Sequence, residues 1–299
     1  MKPAIPRLIS HKFKTLWRKS VLTLRGRIRH HDRFGLNYWL WTDTRAMGRK
    51  KLEPGTDDTG VIEQLKCIYQ LFGDSERPLI SIDAGAYIGV ISLAMSHFGP
   101  NKHFVHSFEA DSLNFSRLKQ NVSSVPNGRI TTHNKAIADF VGYSTFTRYK
   151  DPGNNHLGTV QNPEDIVDSL HQVPVTTLDV FANQTQIDLI DVLKIDVEGF
   201  DLSVLHGAKK MLNEQRIKTI IVETPKQAAT RNELTKFLVG HNFSTRYIVR
   251  NSTELTEVTE ADFIRNSRTP LNMIAVNSYL LHSDRKNSID GKLKNWFEV

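Results

Sequence analysis

The amino-acid sequence predicts an α/β fold, in which a mainly parallel sheet carries helices on both faces. From residue 79 onward, short runs of β-branched and aromatic residues alternate with amphipathic segments, and this alternation is typical of βαβ units. Small or acidic residues follow several of these runs. Ligands of such sheets bind beyond the carboxyl ends of the strands, so we expect the functional site just after the strands.

Hydrophobic periodicity assigns each element in turn. Asp111 is expected to cap the helix that follows it, and Val141 with Gly142 to turn the third strand into a hairpin. The expected strands are 79–83, 103–109, 129–138, 143–149, 192–196, 217–223, 243–249 and 271–281. The expected helices are 60–72, 87–97, 112–122, a short one from 178, 200–212 and 233–239.

The composition excludes several classes of protein. The chain has 299 residues, of which 39% are hydrophobic and 24% charged, as in ordinary globular proteins. Its one cysteine, Cys67, excludes a fold held by internal disulfides. The longest uncharged stretch, 84–101, is interrupted by polar residues and glycines, so no transmembrane segment is expected. Because no apolar signal segment is visible, we expect a cytoplasmic protein.

Positive charge is concentrated near the N-terminus. Residues 1–33 contain ten Lys and Arg residues and one acid, which gives +9, whereas the rest of this +7 chain carries −2. Apolar residues between 9 and 28 recur every three or four positions and predict a basic amphipathic helix. Three interpretations are open. The helix docks on its own domain, or residues 7–33 contact an anionic membrane surface. In the third, the segment binds nucleic acid, although it has few of the aromatic residues that stack on bases. We expect this basic extension over 1–52, one domain over 53–282 and a polar tail over 283–299.

The first strand ends in a glycine turn that leads directly into a helix. The turn reads Asp-Ala-Gly-Ala-Tyr-Ile-Gly over 83–89; glycine lets the backbone approach a ligand, and a helix N-terminus attracts anions. Glu109 ends the next strand, where a carboxylate can accept hydrogen bonds from both hydroxyls of a ribose. The two features together predict a ligand with a ribose and an anionic group. A tight turn and an acid near a helix start are the structural alternatives.

A second group of acids follows the later strands. Asp196 and Glu198 are two residues apart, hence on one side of an extended chain, and Glu223 ends the next strand. Such acids can orient or deprotonate a substrate hydroxyl or bind a divalent cation, and a helix cap is the structural alternative. The segment 150–172 is rich in Gly, Pro and Asn and predicts a lid, a binding loop or a disordered segment, of which the lid is our candidate. Asn155 and His156 are its candidate acceptor contacts.

Several common sites are not supported. The spacing G-x-G-x-x-G would need glycines where Tyr87 and Val90 stand, which disfavours NAD and FAD. The histidines show no zinc-binding spacing and Cys67 is isolated, so no metal ligands are assigned. Neither the G-x-S-x-G elbow of hydrolases nor a P-loop occurs.

The order of these motifs resembles the FkbM-type S-adenosylmethionine-dependent methyltransferases. The segment 194–199, Lys-Ile-Asp-Val-Glu-Gly, is the most specific piece. The other matching pieces are 82–89, 107–110, Leu118 with Asn121, 134–137, 175–179 and 221–223. The resemblance implies a Rossmann-like class I methyltransferase fold with a seven-stranded, mainly parallel sheet whose last strand is antiparallel.

The resemblance also implies S-adenosylmethionine as cofactor. The residues that it assigns to the cofactor are the glycine turn for the methionine part, Glu109 for the ribose and the Asn134 region for the adenine: Asp83, Gly85, Ala86, Gly89, Glu109, Asn134 and Ala136. The chain departs from the family pattern at Tyr87, where asparagine is usual, and at Ala110, where proline is usual.

The implied reaction is O-methylation of a hydroxyl on a sugar, glycolipid or other natural product. We expect Asp196 to position or deprotonate that hydroxyl, while Glu198 and Glu223 shape the acceptor pocket. Three other functions stay open. A nucleic-acid methyltransferase would place the basic segment on phosphates, a nucleotide-sugar glycosyltransferase would bind a metal through Asp196 and Glu198, and a non-catalytic binding protein would have a cofactor site altered at Tyr87.

Overall fold

The computed structural model describes 14 strands and 7 helices in part of the chain. The described residues are 27–41, 57–72, 77–126, 128–149, 155–158, 167–225, 227–248, 255–256 and 272–277. The strands are β1 Arg27–His31, β2 Asn37–Trp41, β3 Leu79–Ala84, β4 His103–Phe108, β5 Ile130–His133, β6 Ala136–Ile137, β7 Gly142–Tyr149, β8 His156–Leu157, β9 Val167–Thr176, β10 Ile190–Ile195, β11 Ile217–Glu223, β12 Phe243–Ile248, β13 Leu255–Thr256 and β14 Asn272–Asn277. The helices are α1 Asp57–Phe72, α2 Val90–Phe98, α3 Ser112–Val122, α4 Leu178–Thr185, α5 Asp201–His206, α6 Lys209–Asn213 and α7 Ala228–Gly240.

The main sheet confirms the predicted fold class. Its order is β13-β12-β14-β11-β10-β3-β4-β5, in which β13 is a two-residue edge strand and the other seven form the seven-stranded sheet expected from the sequence. Strands β11, β10, β3, β4 and β5 run parallel to one another. The last strand, β14, lies between β11 and β12 and is antiparallel to both. The carboxyl ends of β3, β4, β10 and β11 therefore share one edge of the sheet.

Helices cover both faces because alternate residues of each strand point to opposite sides. In β14, Ile274 and Val276 belong to a core cluster that includes residues of α1 and α2. Met273 and Ala275 belong to a second cluster, which includes residues of the helices α4 to α7. None of the described helices is long and apolar enough to cross a membrane.

The predicted strand 129–138 is wrong as one element. Only β5 belongs to the main sheet, and β6 joins a second sheet of order β6-β9-β7-β8. The break lies at Asn134, whose side-chain Nδ2 donates to the backbone oxygens of Glu109 and Ala110 at 2.9 and 3.1 Å. The chain therefore leaves the main sheet after β5, and the Asn134 side chain holds the loop that follows β4.

The predicted hairpin between 129–138 and 143–149 is also wrong. Strand β7 pairs antiparallel with β9 and β8, while β6 pairs parallel with β9. The predicted loop 150–172 accordingly contains β8 and the first half of β9. The predicted helix 200–212 is divided into α5 and α6 at Gly207, where a β-carbon would lie 2.0 Å from the backbone oxygen of Ala138.

The start of the described chain corrects the N-terminal helix. Residues Arg27–His31 form β1, which pairs antiparallel with β2, so the predicted helix does not extend to Ile28. The Asp32 carboxylate closes the connecting turn by accepting the backbone N–H groups of Phe34 and Leu36, each at 2.9 Å. The rest of the predicted helix, the domain limits near 52 and 282 and the polar tail lie outside the described residues.

Candidate active site

A cavity opens at the edge where β3, β4, β10 and β11 end. Its volume is about 220 Å³, and the second sheet contributes to its wall through β6, β7 and β8. Its lining includes both polar side chains at the strand ends and apolar side chains. The lining residues are Gly85, Ala86, Tyr87, Ile88, Val90, Ile91, Phe108, Glu109, Ala110, Asn114, Lys135, Ala136, Ile137, Phe146, Asn155, His156, Leu157, Lys194, Asp196, Val197, Glu198 and Glu223.

The glycine turn is held in place by the neighbouring strand. The backbone N–H groups of Gly85 and Ala86 both donate to the carbonyl of Phe108, at 3.0 and 2.8 Å. Tyr87 has a positive φ of 51°, and its N–H donates to Oε2 of Glu109 at 2.8 Å. The turn and the end of β4 thus form one hydrogen-bonded unit.

Glu109 is the acid of that unit. Its Oε1 accepts the backbone N–H of Asp111 at 2.9 Å, and the residue is only 7% exposed. Burial raises the pKa of Glu109 to about 8, although the two N–H donors favour the charged form. The carboxylate lines the cavity with acceptor positions that two N–H groups do not exhaust.

Lys194 connects three parts of the site. Its Nζ lies 3.1 Å from Oδ2 of Asp196 and 3.7 Å from Oδ1 of Asp83, and it donates to the carbonyl of Gly85 at 3.4 Å. Asp83 is fully buried, accepts the Ser92 hydroxyl at 2.5 Å, and burial raises its pKa. The ammonium therefore lies between Asp83 of β3, the glycine turn and Asp196.

Further acids surround Asp196. Burial, together with the charges of Asp196, Glu198 and Asp201, raises the pKa of Glu223 to about 8. Burial and the charge of Asp196 raise the pKa of Asp201 to about 6. No group of three or more metal-binding side chains with suitable geometry occurs in the described part of the chain. Within this acidic cluster, Glu223 and Asp201 thus bind protons more strongly than isolated carboxyls do.

The second sheet supplies the less polar wall of the cavity. Phe146 of β7 and Leu157 of β8 pack in one buried cluster and are cross-strand partners. Asn155 accepts the backbone N–H of Tyr149 at 2.8 Å through its side chain, and His156 is 8% exposed. Both lie in the cavity wall, and their role as acceptor contacts stays a prediction, as does the lid.

Most of the residues that the sequence singled out meet in this cavity. Its lining includes Gly85, Ala86, Glu109, Ala136, Asp196, Glu198 and Glu223. Three others are not part of the lining. Asp83 contacts Lys194 and Ser92, Gly89 is the N-cap of α2, and the Asn134 side chain donates a hydrogen bond to the backbone of the loop after β4.

Sequence reasoning missed several lining side chains. Lys194 lies in the most specific motif but received no role, and its position before Asp196 at a buried strand end was the available signal. Phe108, directly before Glu109, and Asn114, five residues after it, also line the cavity and received no role. Phe146 belongs to a strand whose partner was wrongly assigned, so no signal in the sequence placed it at the site.

Solved structures with a similar arrangement include several methyltransferases. A methyltransferase FkbM from Methylobacillus flagellatus is 15% identical, with a TM-score of 0.44 over 66% of this chain and 43% of that one; this chain thus spans less than half of that protein. The human methyltransferase 10 domain containing protein is 12% identical, with a TM-score of 0.44 over 91% of this chain and 100% of that one. A putative RNA methyltransferase from Pyrococcus horikoshii is 14% identical, with a TM-score of 0.40 over 77% and 91%.

Comparison with curated protein sequences gives no match. The family comparison is decisive, because it covers the strand ends, the glycine turn and the acidic motif together. The model of the methyltransferase FkbM domain matches residues 83–261, more than half of the chain, and the chain therefore belongs to the FkbM methyltransferase family.

Proposed function

We propose that this chain is a cytoplasmic, S-adenosylmethionine-dependent O-methyltransferase that acts on a hydroxyl of a sugar, glycolipid or other natural product. The observation that carries the proposal is the single cavity at which Glu109, after β4, and the Asp196 cluster, after β10 and β11, lie on either side of the glycine turn that follows β3. One carboxylate suits a ribose, and the others suit the handling of a hydroxyl proton.

The donor set fits S-adenosylmethionine. Glu109 already accepts two backbone N–H groups and keeps acceptor capacity for the two ribose hydroxyls. The apolar side chains of Phe108, Ala136 and Ile137 line the cavity beside it and suit an adenine ring. The acids near Asp196 outnumber Lys194, and a negative environment of this kind favours a sulfonium cation.

The bound cofactor would supply an activated methyl group, so the protein has to align a hydroxyl with it and exclude water. Asp196 is our candidate for positioning or deprotonating that hydroxyl, because it lies in the cavity lining with Lys194 beside it. Lys194 would hold the Asp196 carboxylate in position through their ion pair. Glu198 and Glu223 would shape the acceptor side.

Glu223 also offers a route for the proton. A carboxyl with a pKa of about 8 exchanges protons near neutral pH, which is the range in which general acid–base catalysis is most effective. We propose that the hydroxyl proton reaches Asp196 or Glu223 as the methyl group is transferred. Substitution of each acid by its amide distinguishes the two, since only the accepting group should dominate the pH profile.

Calorimetric titration with S-adenosylmethionine and S-adenosylhomocysteine tests the cofactor assignment. Wild type should bind both, Glu109→Ala should lose most of the affinity, and Asp196→Ala should keep S-adenosylhomocysteine binding but lose methyl transfer. Absence of binding by wild type refutes the proposal and favours a binding protein that retains the fold.

The acceptor class needs a separate measurement. Transfer of a radiolabelled methyl group to a panel of free sugars, glycolipids and single-stranded RNA should label only the hydroxyl-bearing small molecules or lipids. Labelled RNA, with a steep dependence on salt, would replace our acceptor proposal by a nucleic-acid one. Activity that EDTA abolishes would instead favour a metal-dependent transferase.

A further inference from the structure

The hairpin of β1 and β2 presents a surface of stacked arginine and tryptophan side chains. Arg27 pairs across the strands with Trp41, and Arg29 pairs with Trp39. The guanidinium groups of both arginines lie over the Trp39 ring, 4.6 and 5.4 Å from its centroid. Arg117 of α3 lies 5.2 Å from the Trp41 ring. We call these five residues the arginine–tryptophan face.

The opposite side of the hairpin is buried in the fold. Leu36, Tyr38 and Leu40 are at most 8% exposed and belong to the core cluster that includes residues of α1 and α2. Because side chains alternate along a strand, Trp39 lies on the other side of β2, whereas Trp41 packs against the rim of this core cluster; both are only partly buried. The face is thus the outer surface of an element with a well-packed inner side.

Asn121 fixes this hairpin beside the glycine turn. Its Oδ1 accepts the backbone N–H of Trp39 at 2.6 Å. Its Nδ2 donates to the carbonyls of Trp39 and Ile88, at 3.2 and 2.8 Å. Since Asn121 is fully buried, the position of the face is tied to the turn that lines the cavity.

The charge of the face is only partly compensated. In the described ranges, Arg27 and Arg29 form no ion pair, whereas Arg33 pairs with Glu63 at 3.1 Å. Arg29 is exposed and Arg27 is half-buried. These arginines also end the segment 1–33, whose charge is +9. Such a concentration of positive charge favours the binding of an anionic partner.

We propose that the arginine–tryptophan face binds the surface of an anionic phospholipid bilayer. Tryptophan favours the interface between headgroups and acyl chains, and arginine N–H groups bind lipid phosphates. Each basic residue near such a surface contributes about 1 kcal/mol. This proposal stands independently of the cofactor and acceptor assignments.

The same geometry disfavours single-stranded nucleic acid as the partner. Nonspecific binding of single strands depends on bases that stack on open aromatic faces. Here the guanidinium groups of Arg27 and Arg29 already cover Trp39, and that of Arg117 covers Trp41. A stacked arginine still directs N–H groups outward to phosphates, which suits a lipid headgroup better than a base.

Vesicle sedimentation of the full-length chain tests the proposal. Wild type should bind vesicles of phosphatidylcholine with phosphatidylserine and not vesicles of phosphatidylcholine alone. The double variant Arg27→Gln/Arg29→Gln should bind about thirtyfold more weakly, in line with about 1 kcal/mol for each of the two charges lost. The matched control Lys209→Gln/Lys210→Gln removes the same charge from exposed positions of α6 and should remain within about twofold of wild type.

A fluorescence measurement shows whether the face itself makes the contact. The chain has four tryptophans, so Trp17→Phe/Trp296→Phe leaves Trp39 and Trp41 as the emitters. Brominated lipids within anionic vesicles should quench their emission. Calorimetry with S-adenosylhomocysteine should give the same affinity for the variants as for wild type, which verifies their folded state if the cofactor proposal holds; circular dichroism verifies it otherwise.

Three results would overturn the proposal. The first is absence of binding to anionic vesicles. The second is vesicle binding that leaves Trp39 and Trp41 unquenched and does not depend on Arg27 and Arg29. The third is binding of a labelled single-stranded RNA that Arg27→Gln/Arg29→Gln weakens, with no binding to vesicles, which would assign the face to nucleic acid.

Discussion

A β-carbon on Gly85 would lie 1.9 Å from the carbonyl oxygen of Asp196, so the glycine turn and the end of β10 are in direct backbone contact. A further hydrogen bond of 3.0 Å runs from the N–H of Asp196 to the carbonyl of Ala84. The proposed cofactor turn and the proposed catalytic acid therefore have fixed positions relative to each other. Any side chain at residue 85 has to separate them.

Gly85→Ala should accordingly abolish cofactor binding and lower the melting temperature. The substitution combines the clash with a left-handed φ of +81°, which costs an L-residue about 1 kcal/mol by itself. Gly128→Ala is the matched control, because its φ is +83° and an added β-carbon would meet nothing within 4 Å. Thermal unfolding and calorimetry of both variants measure the clash alone; equal effects in the two would contradict the backbone contact.

Glu109→Gln should weaken S-adenosylhomocysteine binding about tenfold or more and remove its dependence on pH. An amide has one acceptor oxygen, whereas the carboxylate accepts both the Tyr87 and the Asp111 N–H. Because the pKa of Glu109 is raised to about 8, the acceptor form becomes populated as pH rises, so wild-type affinity should increase from pH ~6 and level off above about 8. Glu223→Gln is the control and should retain this increase. A flat wild-type profile would contradict the role of Glu109.

Glu223→Gln should stabilise the folded protein at neutral and alkaline pH. The folded-state pKa of Glu223 is about 8, against an ordinary value of 4.5. The folded state therefore binds the proton more tightly than the unfolded state, and the carboxyl destabilises the fold increasingly as pH rises from 4.5 to 8. The difference in melting temperature between variant and wild type should be near zero at the acid end and positive at pH ~8. The exposed Glu233 on α7 serves as control: Glu233→Gln should give a small difference at every pH.

Lys194→Met should destabilise the protein by about 3 to 5 kcal/mol, the usual cost of leaving a buried charge without its partner. Asp83 is fully buried beside this ammonium, and Asp83→Asn in the same chain should restore part of the loss. Lys218→Met offers a comparison on the next strand. Its partner Asp191 keeps Arg77 and the backbone N–H of Ile80, so the loss should be smaller. Urea unfolding of wild type, Lys194→Met, Asp83→Asn and the double variant gives the coupling free energy of the pair, and its absence would show that Lys194 and Asp83 do not interact.

The sequence was most informative where burial dictates the residue types. Helix α3 and strand β11 have the bounds that periodicity predicts, 112–122 and 217–223. The predicted strands at 79–83 and 192–196 match β3 and β10 to within two residues. These strands are nearly continuous apolar runs between turn residues, a pattern that a parallel sheet with two covered faces requires.

Pairing between distant segments could not be predicted in this way. Strand β6 has two residues and joins β9 across a long stretch of chain, so nothing local distinguishes it from a continuation of β5. At the N-terminus, Ile28 fits a helical repeat, but Arg27 and Arg29 equally fit the alternation of a strand. The Asp32 turn decides between them, because its carboxylate binds two backbone N–H groups.

The sequence predicted which strand ends form the site, but it did not predict which contacts their side chains make. Glu109, Asp196 and Glu223 lie in the cavity because their strands are parallel neighbours or share one edge. Asp83 occupies the same edge but points into the interior, where Ser92 and Lys194 bind it. The direction of a side chain at the end of a strand depends on twist and packing, which residue types alone do not specify.

The wall of the cavity is formed by two different parts of the chain, the main sheet and the second sheet. The main sheet contributes the glycine turn, Glu109 and the acids, whereas β7 and β8 contribute Phe146 and Leu157 from the segment between β5 and β10. Substitutions in this segment can therefore change one wall of the cavity and leave the strand ends of the main sheet as they are. We expect related proteins to differ most in this segment, and a graft of β7 to β9 to carry acceptor preference from one relative to another.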